Sequence, residues 1–292
     1  MGVRGHIAVG TDRLSAAALI LAGLLLAASA EAAPLPACAQ AIEVPAAKVI
    51  RVEQNGVLVL SDGRAVDVEG ILLPAGGHDH APSFLAKQAL SVLGELTRNV
   101  YVTLAAQPPK EDRYGRLRAQ VFFRQADAEP WLQMALLRRG LARVNIAPDR
   151  RECASALYAA ERDARAARRG IWALSAYAVR TPETLGHDTG TFQLVEGDVK
   201  SAEVRGGRAY LNFGNDWRND FTVTISSDDM ALFRRIGVDP RSYAGLRVRV
   251  RGWIESIDGP EIEIATPDAI EVLGPALGPT PASEAQDEKR PG

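Results

Sequence analysis

Asp112-Arg113-Tyr114-Gly115-Arg116 is a dense run of chemistry-bearing side chains, and it stands directly before Leu117 to Phe123, an apolar run that reads as a buried strand. A long cation at a strand entrance is well placed to meet an anion, and Gly115 lets the backbone turn sharply or be approached closely. Arginine suits a phosphate in particular, because its planar fork donates two parallel hydrogen bonds. The same five residues also describe a solvated hairpin turn, and the run alone does not choose between the two.

Other groupings are weaker. His78 and His80 flank Asp79 in a Gly-rich loop, but two neighbouring histidines do not make a metal site without further ligands, and none is expected there. Trp217, Arg218, Phe221 and Arg251 would give a basic, aromatic surface for single-stranded nucleic acid. Alternatively, Phe221 and Trp253 fill a core while the arginines pair with Asp216, Asp220 and Glu255. Arg162, Arg165, Arg168 and Arg169 end a helical stretch, where cations either touch a phosphate backbone or complement the helix dipole.

The elements that must position these residues describe an α+β, mainly β chain. Val49 to Leu60 alternates weakly around Gln54-Asn55-Gly56, a hairpin or bulge signal. Gly63 to Val68 and Gly70 to Pro74 add two strands, with Val66 and Val68 on one face and Asp67 and Glu69 on the other. Ser83 has the character of an N-cap for a helix with apolar residues at Phe84, Leu85, Ala89, Leu90, Leu93 and Leu96. Strands at Asn99 to Leu104 and Leu117 to Phe123 precede two helices, one starting at Trp131 and one over 152–168. Residues 34–44 are expected to be extended and 176–190 to be a polar linker. A β-rich module over 191–273 follows, with strands at 192–200, 208–213, 221–226, 246–254 and 261–265. A helix near 229–236 sits between its third and fourth strands, the order of a small, partly open barrel of the OB type. Residues 274–292 are rich in proline, alanine and charge and read as a disordered tail.

Composition bounds the class without naming a partner. At 292 residues, 47% hydrophobic and with a net charge of −2, the chain is long enough for two globular domains and carries no basic signature. Arg4 and Arg13 precede an apolar run from Ala16 to Ala30 that ends in small residues, the pattern of a secretory signal peptide covering 1–33. The run is too short for a comfortable membrane span, so the mature chain is expected to be periplasmic or secreted, without a transmembrane segment. Leu35-Pro36-Ala37-Cys38 is a poor lipid-attachment box, since Pro36 fits badly and Cys38 lies well past the apolar core. In an oxidising compartment the only two cysteines, Cys38 and Cys153, are expected to form a disulfide.

The turn 112–116, the helix Trp131-Leu132-Gln133-Met134-Ala135-Leu136-Leu137 running into Arg139-Gly140-Leu141-Ala142-Arg143-Val144, and the second helix closing in Arg169-Gly170-Ile171-Trp172 together resemble the staphylococcal (micrococcal) nuclease family. The resemblance covers 45–173 and implies a staphylococcal-nuclease-like, OB-barrel domain over 45–175, followed by the second, smaller OB-like barrel. In that family a Ca²⁺ ion held by carboxylates and a carbonyl positions the phosphodiester, a glutamate assists the attacking water, and two arginines stabilise the charge on phosphorus.

Carried over residue by residue, the resemblance keeps only one of these functional positions, Arg116. The other arginine falls on Asp67, a metal aspartate and its threonine neighbour on Leu72 and Leu73, the glutamate on Ala75, and the remaining metal aspartate on Gly56. Apolar side chains offer no oxygen to a hard cation, so neither Ca²⁺ nor another cofactor is expected. Losing even one transition-state donor costs about 3–4 kcal/mol. The chain therefore reads as an exported, thermonuclease-like protein with a degenerate phosphodiesterase site, acting as a binding module toward nucleic acid or an envelope protein or polysaccharide. Arg113, Tyr114, Arg116, Trp217 and Arg218 are its candidate nucleic-acid contacts. The alternative is an active nuclease whose remodelled site uses Arg116 with carboxylates such as Asp62, Asp67, Glu69, Asp79 or Asp112. If the old site has been refilled, Asp67 or Glu69 is expected to pair with Arg116.

Overall fold

The computed structural model describes residues 1–2, 36–39, 42–123, 130–216 and 218–277. The apolar run Ala16 to Ala30, its cleavage region, Trp217 and residues 278–292 lie outside them. The chain divides into two units, Met1–Ala32 and Ala33–Gly292, and the second carries all the structure discussed below. No helix among the described residues is long and apolar enough to cross a membrane.

The chain from residue 42 first builds a closed barrel. Strands β1 (Ile42–Val52), β2 (Leu58–Leu60) and β3 (Ala65–Val68) lead to the short β4 (Ile71–Leu72) and helix α1 (Phe84–Thr97). β5 (Tyr101–Ala106), β6 (Leu117–Phe123), α2 (Leu132–Arg138), β7 (Arg143–Val144) and α3 (Ala154–Ala166) complete the module. The barrel order is β1-β2-β3-β6-β5, with β3 and β6 parallel and β1 closing onto β5. Inward-facing Val49, Leu58, Leu60, Val66, Leu104 and Val121 are wholly buried, as the period-2 pattern requires. β1 begins at Ile42, inside the segment expected to be a free extension, because its first half pairs with β5. Ser83 does precede α1, but its side chain makes no capping bond.

Two glycines fix how the helices meet. A Cβ on Gly140 (φ +66°) would stand 2.1 Å from the Arg169 carbonyl oxygen, and one on Gly170 would stand 2.2 Å from that of Gly140. Only glycine permits this back-to-back approach, which the Ile171 N–H bond to the Gly140 carbonyl (2.9 Å) then fastens. Cys38 and Cys153 are joined in a disulfide across 115 residues, tying the segment 36–39 to the residue that precedes α3.

The second module follows at β8 (Phe192–Asp198), β9 (Ser201–Arg205), β10 (Arg208–Asn212), β11 (Thr222–Ile225), α4 (Met230–Arg235), β12 (Leu246–Trp253), β13 (Glu255–Ser256), β14 (Pro260–Glu263) and β15 (Ile270–Pro275). Its strands form a five-stranded sheet, β13-β14-β11-β10-β9, and a three-stranded sheet, β15-β12-β8, around one core centred on Phe221, Val223, Phe233 and Val250. β11 and β14 are parallel and β8 pairs with β12, which repeats the pairing logic of the first barrel without closing it. This is the partly open second barrel the element order predicts. β15 was not foreseen, and it carries Gly274 and Pro275, two residues of the expected tail, into the sheet.

Residues 176–190 are not a loose linker. Tyr177 and Leu185 are buried, Leu185 within the second core, and the Arg180 guanidinium bonds the Asp188 carboxylate at 2.9 Å. The barrels also share a buried ionic junction: Arg251 on β12 bonds Glu161 of α3 at 2.9 Å and Glu271 of β15 at 2.6 Å, while Arg165 bonds Glu161 at 2.9 Å.

Candidate functional site

The turn before β6 is shaped by its own carboxylate. Asp112 Oδ1 accepts the N–H groups of Tyr114 (2.8 Å) and Arg116 (3.0 Å), while Gly115 takes φ +73° to close the turn. Asp112 Oδ2 accepts from the Arg116 guanidinium, 2.7 Å from Nε and 2.6 Å from its NH2. Arg113 and Arg116 stand over the exposed Tyr114 ring, 4.9 Å and 5.1 Å from its centroid. Burial works to raise the Asp112 carboxyl, but the bonds from Arg116 and Tyr114 outweigh it and hold it below the usual carboxylate range.

Arg116 is therefore half of an ion pair, and its partner is Asp112 rather than Asp67 or Glu69. The turn brings a carboxylate four residues away into contact before any neighbour on β3 can reach. Asp67 lies alongside, opposite Arg118 in the β3–β6 register. Burial pushes its carboxyl up, Arg116 pulls it partway back, and Asp112 pushes it up again. Arg118 itself forks onto Asp149 at 2.7 Å and 2.9 Å. Of the two positions where the resemblance places a guanidinium, Arg116 is engaged by its own turn and the other is Asp67.

The positions that the resemblance assigns to metal ligands carry hydrocarbon. A Cβ built on Gly56 (φ +85°) would lie 2.6 Å from Leu73 Cδ1, so these positions are neighbours in space and the leucine occupies the room a ligand at 56 would need. Leu73 packs on the first core, and Leu72 packs on a smaller cluster with Trp172 and Phe192. These residues do not fit Ca²⁺, which takes six to eight oxygens. Among the described residues, no group of three or more His, Cys, Asp or Glu side chains is placed to hold a metal ion.

The loop after β4 is closed down as well. The Ala75 N–H donates to Asp79 Oδ2 at 2.8 Å, and Asp79 also accepts from the Tyr177 hydroxyl (2.8 Å) and Arg143 (2.8 Å). Asp79 is 2% exposed and Arg143 equally buried, so the Gly-rich loop is pinned by an internal ion pair, with His78 and His80 exposed.

A second buried network escaped sequence reasoning. Glu69 accepts from Arg150 Nε at 2.9 Å, and Gln120 Oε1 accepts from the Trp131 indole N–H at 3.0 Å. Gln133 donates to the Glu69 and Ala119 carbonyls at 3.2 Å and 3.1 Å. Burial raises the Glu69 carboxyl, with Arg150 offsetting it. The available signal was a glutamine inside each of two apolar runs, Leu117 to Phe123 and Trp131 to Leu137.

The remaining candidates separate. Arg218 sits on the loop between β10 and β11, in the other module from Arg113, Tyr114 and Arg116, and Trp217 lies outside the described residues. Phe221 is buried as a core residue, but Trp253 is 45% exposed, and Arg251 is buried against Glu161 and Glu271 rather than paired with Asp216, Asp220 or Glu255. At the end of α3, Arg165 faces Trp172 and Arg169 bonds the Arg138 carbonyl at 3.3 Å.

The family model described as staphylococcal nuclease homologue matches residues 81–174, which identifies a domain of that kind in this chain. The matched segment runs from the loop before α1 past α3 and includes Arg116, whereas Gly56, Asp67, Leu72, Leu73 and Ala75 all precede it. No curated protein matches the chain.

Proposed function

We propose that this is an exported, thermonuclease-like protein whose Ca²⁺-dependent phosphodiesterase site is degenerate and which acts as a binding module. The observation that carries the reading is the contact between position 56 and Leu73: hydrocarbon stands where the family places metal ligands. Asp67 in place of a cationic donor, Ala75 in place of the base, and Arg116 neutralised by Asp112 support it. Export is supported by the signal-like N-terminus and by the Cys38–Cys153 disulfide.

The test is incubation of the mature protein with single-stranded DNA and RNA in Ca²⁺, Mg²⁺ or EDTA. No cleavage above background is expected. Metal-dependent cleavage lost in Arg116→Ala would establish the remodelled-nuclease alternative instead. A gel shift without cleavage that weakens steeply with salt would identify nucleic acid as the ligand.

A further inference from the structure

A cavity of about 240 Å³ opens where the two barrels meet. Asn145 and Tyr158 line it from the nuclease-like side, and Phe192, Arg251, Trp253 and Thr266 from the other, so neither module contains it alone. Its size is below the ~300–1,000 Å³ of sites for drug-sized ligands, and suits a single ring.

The walls combine a stacking platform, Trp253, with the exposed amide of Asn145 at the mouth. Trp253 stands half in solvent, braced edge-on by Phe192 with centroids 5.8 Å apart at 78°. Arg251 is 3% exposed and lies over the Tyr158 ring at 4.3 Å. One of its terminal nitrogens bonds Glu161 and the Val144 carbonyl, and the other bonds Glu271. Its Nε–H, equally shielded, has no hydrogen-bond partner among the described residues. That shielding leaves the donor no room to meet a ligand atom, so it belongs to the buried junction and not to the cavity wall.

We propose that this cavity holds one uncharged sugar ring of an oligosaccharide. The apolar C–H face of the ring would lie on the Trp253 indole, whose π face is electron-rich. The exposed Asn145 amide at the mouth would both donate to and accept from hydroxyl groups of the ring. A phosphate-bearing ligand is a poor match, because Glu161 and Glu271 already meet the Arg251 charge and no other cationic side chain among the described residues lines the cavity. A proline ring would stack on Trp253 but carries no hydroxyls for Asn145.

This site deepens the binding-module reading and rests on it. The full mature protein would be titrated with the tetramers of N-acetylglucosamine, cellulose and maltose, by calorimetry and tryptophan fluorescence. Of the four tryptophans, Trp131 and Trp172 are buried, so a spectral change reports on Trp253 when Trp253→Ala abolishes it and Trp217→Phe leaves it in place. The expected result is saturable binding of at least one tetramer, weakened at least about tenfold by Trp253→Ala through loss of stacking. Asn145→Ala, on the opposite wall, should weaken it too, with far-UV circular dichroism and melting confirming that both variants are folded. Absence of saturable binding at millimolar sugar overturns the proposal, as does affinity unchanged in both folded variants. Tighter binding of a single-stranded tetranucleotide or a proline-rich peptide at Trp253 overturns it equally. Metal-dependent nuclease activity would sink the degenerate-site reading without touching this one, and failed sugar binding would leave the degenerate site standing.

Discussion

Asp79→Ala should be among the most damaging single substitutions outside the apolar cores. The carboxylate accepts bonds from Arg143, the Tyr177 hydroxyl and the Ala75 N–H, all at 2.8 Å, and all out of solvent or nearly so. Removing it strands the Arg143 guanidinium, which is 2% exposed and, among the described residues, keeps only the Phe192 carbonyl as a polar partner. Breaking a buried pair from one side costs about 3–5 kcal/mol, because the remaining charge has lost its compensation. The orphaned hydroxyl and amide add to this, so a loss of about 4 kcal/mol or more is expected. Urea unfolding followed by circular dichroism, with the disulfide intact, measures it. The double variant Asp79→Leu/Arg143→Met removes both charges together and should recover about 2 kcal/mol or more of that loss. A cost below about 1 kcal/mol for Asp79→Ala would refute the reasoning, since it would mean that Arg143 finds water or another acceptor.

Reducing the Cys38–Cys153 bond, or replacing both cysteines with serine, should lower stability by up to about 4–5 kcal/mol, because the link spans 115 residues; melting with and without reductant reads the change directly. Burial raises the Asp67 carboxyl above its ordinary value of 3.8, with Arg116 only partly opposing. A folded-state pKa above the unfolded one means that stability from this group is full below the unfolded value and is lost as pH rises through the raised one. Asp67→Asn should therefore raise the melting temperature at pH 7 and flatten its fall across the weakly acidic range; a lower melting temperature at pH 7 would instead mean that Asp67 is needed by Arg116. Gly140→Ala should destabilise the fold by more than about 2 kcal/mol, since the position combines φ +66° with a backbone oxygen 2.1 Å from the new methyl group, and thermal melts at matched pH would check it.

Local pattern carried much of this protein. Leu117 to Phe123 is β6 to the residue, and α4 falls inside the expected 229–236, while Gly206-Gly207 and Asp258-Gly259 turn β9 into β10 and β13 into β14. Hydrophobic period and turn chemistry act over a few residues, so they survive being read one stretch at a time. The residue types at 56, 72, 73 and 75 were equally legible, because the absence of an oxygen ligand is a property of the side chain and not of its position. What covers each face was not. Alternation on β12 puts Arg247, Arg249, Arg251 and Trp253 on one side of the strand, but it does not say that α3 lies over Arg251 and leaves Trp253 half in solvent. Likewise, 176–190 looks like a linker until Tyr177 meets Asp79 across 98 residues, and Arg116 looks available until its own turn supplies Asp112. Pairings of charge with charge depend on which distant segments the fold brings together, and only the closed tertiary structure decides that.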